Sequence, residues 1–281
     1  MNKKQLINQS IDYIIQHLDE GLTLEKVAAY FNYSHYYFAR LFKEQTGESV
    51  YGFIKRMKLE QSAIDLKLRA TDRVSEIGLN YGYSSTNFST VFKNSFQCSP
   101  NSYRRVLTAD QTRNPFIPDK KETFLSFEEY DRKIRIEQLP EQKVYYERFI
   151  GNYADLKDRW FLFLDEHQNT ISDQTILYEK FYSDPASADL NHCICDLCFS
   201  VDPATSETTA AIKSGTYAIF PFAGTIDEIF AALQGVFRIW LSRSTFQMTE
   251  RFAVNHYLAI EREQEKVVME LCIPITKQKN L

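Results

Sequence analysis

The sequence predicts a multi-domain chain, in which an all-α tandem helix-turn-helix domain is followed by an α+β domain of two βαββ repeats. Three observations lead there. Apolar residues recur at helical spacing from Lys4 to Arg105, with serine caps and glycines between short segments. Beyond about residue 122 the period becomes strand-like. Within that second part the order strand, glycine turn, helix, two strands occurs twice, at a spacing of roughly 70 residues. A chain of 281 residues has length enough for two cores.

The first domain spans residues 1–107. Leu24 to Phe31 reads as an amphipathic helix, Asn32-Tyr33-Ser34 as a turn whose serine caps a second helix, and Gly47 as that helix's left-handed end. Phe38, Leu41 and Phe42 face the core. The opposite flank carries His35, Tyr36, Ala39, Arg40 and Lys43: small and polar residues first, cations further on, an arrangement a major groove accepts. A longer helix from Val50 to Leu68 serves as spacer. The first pattern then returns, with Val74 to Leu79 as a helix, Asn80 to Tyr83 as the turn and Ser85 to Ser95 as a second candidate reading helix, buried through Phe88, Val91 and Phe92. Two such units on a rigid spacer would face successive major grooves of one duplex.

Residues 108–122 read as a linker, with two prolines and mixed charge. From 123 to 281, strands are expected at Lys133–Leu139, Lys143–Ile150, Thr175–Tyr182, Cys193–Val201, Thr216–Phe222 and Val267–Ile275. Helices are expected at Tyr153–His167 after Gly151 and at Ile226–Ser242 after Gly224.

Charge is divided between the two parts. Residues 1–107 hold 14 Lys and Arg against 10 Asp and Glu, and the remainder 19 against 27. A basic module suits phosphates, whereas the acidic remainder suits a neutral or cationic partner. No stretch has the roughly 18 to 20 uninterrupted apolar residues of a membrane span, and the polar start lacks a secretory signal, so a cytoplasmic protein with no membrane partner is expected. Five cysteines cannot all pair internally and read as reduced. His192, Cys193, Cys195 and Cys198 lie close in sequence, but on a strand Cys193 and Cys195 share a face while Cys198 points the other way. No metal and no cofactor are expected.

Across about 100 residues the first domain resembles the AraC family of bacterial regulators. The resemblance rests on Ser34 to Lys43 with Thr46-Gly47, and on Tyr81 to Ser85, Asn87-Phe88-Ser89, Val91-Phe92-Lys93, Phe96, Ser99-Pro100 and Tyr103-Arg104. It implies that Tyr36, Ala39 and Arg40 face bases in the first reading helix and that Thr86, Asn87 and Thr90 do so in the second, with Lys43, Lys93 and Arg104 nearer phosphates. The second unit departs from the family pattern. It is one residue short between Gly82 and Phe88, has Thr90 where arginine is common, and has Gln97 in place of the usual glycine.

Residues 125 to 281 resemble the gyrase-inhibitor-like (GyrI-like) ligand-binding domain, through Val144 to Tyr153, Phe181 to Pro185, Gly215 to Ala218 leading to Gly224, Trp240-Leu241 and Glu270 to Ile275. That resemblance implies two βαββ halves around an aromatic groove, which in multidrug-sensing members takes bulky lipophilic cations against tyrosines and a carboxylate. Tyr145, Trp160, Tyr182, Tyr217, Trp240 and Tyr257 are the candidate lining, with Glu270 as charge partner. Asn255 stands where a glutamate is common, and Cys272 where an aromatic is frequent.

Together the resemblances imply a regulator of transcription that binds double-stranded promoter DNA, responds to a small-molecule effector and contacts RNA polymerase. Two other readings stay open: constitutive DNA binding with a C-terminal protein-interaction module, and a small-molecule hydrolase domain using Glu270 or Glu147 as general base beside Tyr257. No nucleophile motif supports the last, and no enzyme is expected.

Overall fold

The computed structural model describes residues 2–69, 71–107, 111–117, 120–202 and 209–278. Two compact units meet at the 107/108 boundary, Met1–Leu107 and Thr108–Leu281.

The first unit is helical: α1 Lys3–Gln16, α2 Leu24–Tyr30, α3 His35–Thr46, α4 Val50–Leu68, α5 Val74–Asn80, α6 Ser85–Phe96 and α7 Pro100–Leu107. Its two halves repeat at an offset of 50 residues. Ser34 and Ser84 cap α3 and α6 by accepting the backbone N–H three residues on. Asn32 and Gly82 are the turn residues with positive φ, at 61° and 79°. Gly47 and Gln97 close the two reading helices in the left-handed region, at φ 79° and 58°. Glycine takes that conformation freely, whereas Gln97 bears a Cβ there. Phe38, Leu41 and Phe42 of α3 and Phe88 and Phe92 of α6 are buried, so each reading helix is fixed by one apolar stripe. Between the halves, α4 is tied to the second turn. Lys58 Nζ donates to the Tyr81 carbonyl at 3.0 Å and Tyr81 Oη donates to Asp65 Oδ2 at 2.8 Å.

Within the stretch expected as a linker the structure describes two short strands. Strands β1 (Gln111–Arg113) and β2 (Lys121–Thr123) pair antiparallel as a ribbon. Its anchor is Asn114, whose Nδ2 donates to Glu122 Oε1 at 2.8 Å inside the protein. A buried amide with a fixed acceptor holds backbone that sequence composition alone marks as irregular.

After the ribbon come α8 Phe127–Lys133, β3 Arg135–Leu139, β4 Gln142–Gly151, α9 Leu156–Glu166, β5 Leu177–Phe181, β6 Cys193–Ser200, β7 Thr209–Ile212, β8 Gly215–Thr225, α10 Ile226–Gly235, β9 Phe246–Met248, β10 Ala253–Glu261 and β11 Lys266–Lys277. Helix α8 was not expected. Ser126 and Glu129 form a capping box before its short run. The second long helix stops at Gly235 and continues as a π turn, Val236–Trp240, and a 3-10 turn, Leu241–Arg243. Gly235 is required there, because a Cβ would sit 1.7 Å from the Tyr130 hydroxyl of α8.

All nine strands of the main sheet pair antiparallel in the order β3-β8-β11-β10-β5-β6-β4-β7, with β9 beside β11. The two repeats are β4-α9-β5-β6 and β8-α10-β10-β11. They meet along β5 and β10, so the sheet order reads the same outward from that seam: β10, β11, β8, β3 on one side and β5, β6, β4, β7 on the other. Register places Asn255 opposite Glu179, Leu271 beyond Asn255, and Leu197 beyond Glu179. Both repeats lay their helices on the face that carries these four residues. Phe163 of α9 meets Phe199, Phe237 of the π turn meets Phe181, and Tyr130 meets Phe220.

Candidate functional site

Strand alternation decides which side chains share the seam. Leu177, Glu179 and Phe181 of β5 face the helices, as do Ala253, Asn255 and Tyr257 of β10. Glu179 is 6% exposed and sits in an otherwise apolar row. Trp160 Nε1, from α9, donates to its Oε2 at 2.7 Å, and Tyr257 Oη donates to the same oxygen at 3.2 Å. Burial pushes the Glu179 carboxyl above its ordinary value, and the two donors oppose that shift. Asn255 is 1% exposed, and its Oδ1 has no hydrogen-bond partner. Trp160 and Tyr257 lie edge to face with centroids 5.2 Å apart. Tyr153, in a 3-10 turn ahead of α9, packs against the same core, and burial holds its phenol well above the usual range. The result is a carboxyl and an amide side by side under aromatic rings, with two donors shared by one oxygen. A ligand carrying a donor or positive charge would complete this set.

Of the expected lining, then, Trp160, Asn255 and Tyr257 come together, Tyr145 packs against the same apolar cluster, and the other four lie elsewhere. Glu270 pairs with His256 across β10 and β11, one step out of phase with Asn255, so it lies on the opposite face of the sheet. There it binds Arg135 at 2.6 Å, with His256 Nδ1 at 3.4 Å. This placement also separates Glu270 from Tyr257, removing one of the two base pairings expected of a hydrolase. Tyr217 shares the Glu270 face, and its hydroxyl donates to the Lys213 carbonyl at 2.8 Å. Tyr182 follows Phe181 and points the same opposite way, into a buried ion pair. Arg148 binds Asp196 through Nε at 2.7 Å and Nη2 at 2.8 Å, and Tyr182 Oη donates to Asp196 at 3.0 Å. Trp240 is a core residue whose Nε1 donates to Asp131 at 2.8 Å. Tyr145 is on the helix face but at the far end of α9, stacked on Phe199 and hydrogen-bonded to Glu147. Glu147 itself is held by Arg159 and His167.

Glu179 was missed. Its signal was present in Leu177-Tyr178-Glu179-Lys180-Phe181: within a strand, a lone carboxylate two residues from an apolar neighbour on each side shares their buried face. Tyr153 and Phe237 carry no comparable signal, since a turn and a π segment place them.

In β6, Cys193 and Cys195 lie on the helix face and Cys198 on the other, as the strand pattern requires. Burial pushes the Cys195 and Cys198 thiols well up, away from the thiolate form that binds metals. His192 is engaged with Asp189 at 2.8 Å. A shallow hollow of about 300 Å³, whose lining includes neither Glu179 nor Asn255, lies at the ends of β8, β10 and β11, between Ala223, Ala259 and Val268. It presents no buried polar group.

In the helical unit, the outward flanks of α3 and α6 carry the residues expected to meet DNA. Tyr36 is 80% exposed, Arg40 and Lys43 are exposed, and Ala39 is partly covered. The Arg40 guanidinium lies 5.8 Å from the centre of the Tyr37 ring. Thr86, Asn87, Thr90 and Lys93 are exposed on α6, but the Thr90 hydroxyl is turned back to the Thr86 carbonyl at 3.1 Å. Arg104 is partly engaged within the unit: its Nη2 reaches the Arg69 carbonyl at the end of α4, at 3.4 Å, and its Nε is buried without a partner.

No helix among the described residues is long and apolar enough to cross a membrane. Residues 132–276 match the family described as GyrI-like small molecule binding domain, and residues 27–106 match a helix-turn-helix domain. The transcriptional regulator Rob of Salmonella typhimurium is 34% identical over 106 residues, 37% of this chain and 36% of Rob. The regulatory protein SoxS of the same organism is 33% identical over 109 residues, 38% of this chain and 100% of SoxS. Among solved structures, the C-terminal domain of the response regulator AraT from Geobacillus stearothermophilus aligns at 29% identity over 43% of this chain and 97% of that one, with a TM-score of 0.36. The chain belongs to the AraC-type DNA-binding transcription regulators and to the GyrI-like family, whose small molecule binding domain makes up its C-terminal half.

Proposed function

We propose that the chain is a ligand-responsive regulator whose helical unit binds promoter DNA and whose seam at Glu179 and Asn255 receives a small lipophilic cation. One observation carries this reading. A buried carboxyl and an amide oxygen without a partner stand next to each other beneath Trp160 and Tyr257. An uncompensated buried carboxylate is costly, so burial favours the protonated form of Glu179, whereas a cation seated beside it would favour the ionised form, and the ring faces attract the same charge. Glu179 thus takes over, from the neighbouring strand, the place that Asn255 leaves without charge.

On the DNA side, Tyr36, Ala39 and Arg40 read bases from α3, Thr86, Asn87 and Thr90 lie toward them on α6, and Lys43 and Lys93 neutralise phosphates. Contact with RNA polymerase and a role in multidrug sensing follow from the family resemblance alone.

Titration of the full chain with rhodamine 6G, an aromatic cation with N–H donors, tests the effector half. Saturable binding that quenches tryptophan fluorescence is expected, and Glu179→Gln should weaken it at least about tenfold, as expected when a buried charge pair loses its anion. Equal affinity for the variant would overturn the assignment.

A further inference from the structure

In the ribbon β1–β2, residues 114–117 present one aromatic side chain. Asn114 is buried. Its N–H donates to the Lys120 carbonyl at 3.0 Å, and its Oδ1 accepts the Phe116 N–H at 2.9 Å. An asparagine bonded to its own backbone two residues on fixes the local turn. Phe116 is thereby pushed outward, yet it meets two rings: Tyr153, centroids 5.1 Å apart, and Phe230, edge to face at 5.7 Å. Tyr153 precedes α9 in the first repeat, and Phe230 lies on α10 in the second. Lys120, from the same ribbon, acts electrostatically on Glu228 in the first turn of α10.

We propose that the ribbon is a strap across the effector site, with Phe116 closing against the bound molecule and reporting its presence. The inference rests on the reading of the Glu179 and Asn255 seam as that site. Tyr153 belongs to the core that surrounds Glu179, and Phe237, one turn beyond α10, covers Phe181 two residues away. A molecule wedged at Glu179 therefore sits between the two elements that Phe116 bridges, and any change in their separation is felt first at that bridge. Phe116 is still 39% exposed, which leaves ring surface for a ligand to cover.

The test uses the full chain and rhodamine 6G. Phe116→Ala should raise the dye's dissociation rate about tenfold, the scale of one or two lost ring contacts. In a Cys98→Ser background, which removes the partly exposed thiol, Phe116→Cys should react with a maleimide, and saturating dye should slow that reaction several-fold. If Glu179→Gln loses the dye while Phe116→Ala keeps the wild-type rate and Cys labelling ignores the dye, the strap is wrong and the site stands. If Glu179→Gln binds like the wild type, or the wild type does not bind, the site reading falls and the strap with it.

Discussion

Glu179 and Asn255 face each other across the seam between β5 and β10, the one register pair at which the two βαββ repeats place a carboxyl beside an amide. Each stands at the corresponding position of its own repeat, so the duplicated fold offers two central places and this sequence charges only one.

That charge gives the protein a pH signature. Burial raises the Glu179 carboxyl above its ordinary 4.5, so the folded chain holds a proton that the unfolded chain has released. Stability is therefore expected to fall as pH rises from about 4.5 to the folded-state value, then level off. Glu179→Gln should lack that decline in urea unfolding followed from pH 5 to 9. A cation that ionises Glu179 should also release a proton, visible as buffer-dependent heat in titration calorimetry.

The opposite face of the sheet is expected to serve stability alone. Asp196→Asn should cost about 3 to 5 kcal/mol, because it strands Arg148 in the interior without its anion. Tyr182→Phe should cost about 1 to 3 kcal/mol, since the hydroxyl both donates to Asp196 and accepts from Arg148. Neither Tyr182→Phe nor Glu270→Gln should change dye affinity, and a tenfold loss in either would return that face to the effector site.

Gln97 holds a left-handed helix end where the first repeat uses Gly47. Gln97→Gly should stabilise the helical unit by about 1 kcal/mol, the usual cost of a Cβ in that conformation. Gly47→Gln should lose a similar amount. Thermal unfolding of the two variants measures both.

Cations of the helical unit should divide by role. Arg40→Ala is expected to cost about 1 to 3 kcal/mol on a specific promoter and less on random DNA, while Lys43→Ala weakens both and lowers the salt slope by about one. Arg104→Ala should lower thermal stability and change that slope less than Lys43→Ala, since part of its guanidinium is engaged at the end of α4. Electrophoretic shifts across a salt series distinguish the three.

Much of the architecture is local and was readable. Ser34, Gly47 and the buried phenylalanines of α3 follow from capping, backbone freedom and a 3.6-residue period, and the return of the serine and the phenylalanines 50 residues later marks the tandem. Six strand segments follow from alternation, with Gly151 and Gly224 inside the ends of β4 and β8 and not in turns. The elements β1, β2, β7, β9, β10 and α8 were not legible, because pairing or a cap, and not composition, makes them.

The sequence alone determined the two units, the exposed flanks of the reading helices and the duplicated βαββ order, since each depends on residues close together along the chain. Only the tertiary structure decided which aromatics meet. Register across β5, β10 and β11 sent Glu270 to one face and gathered Glu179, Asn255 and Tyr257 on the other. A shift of one residue in that pairing would have exchanged the two faces, and nothing within a single strand fixes the register of its neighbour.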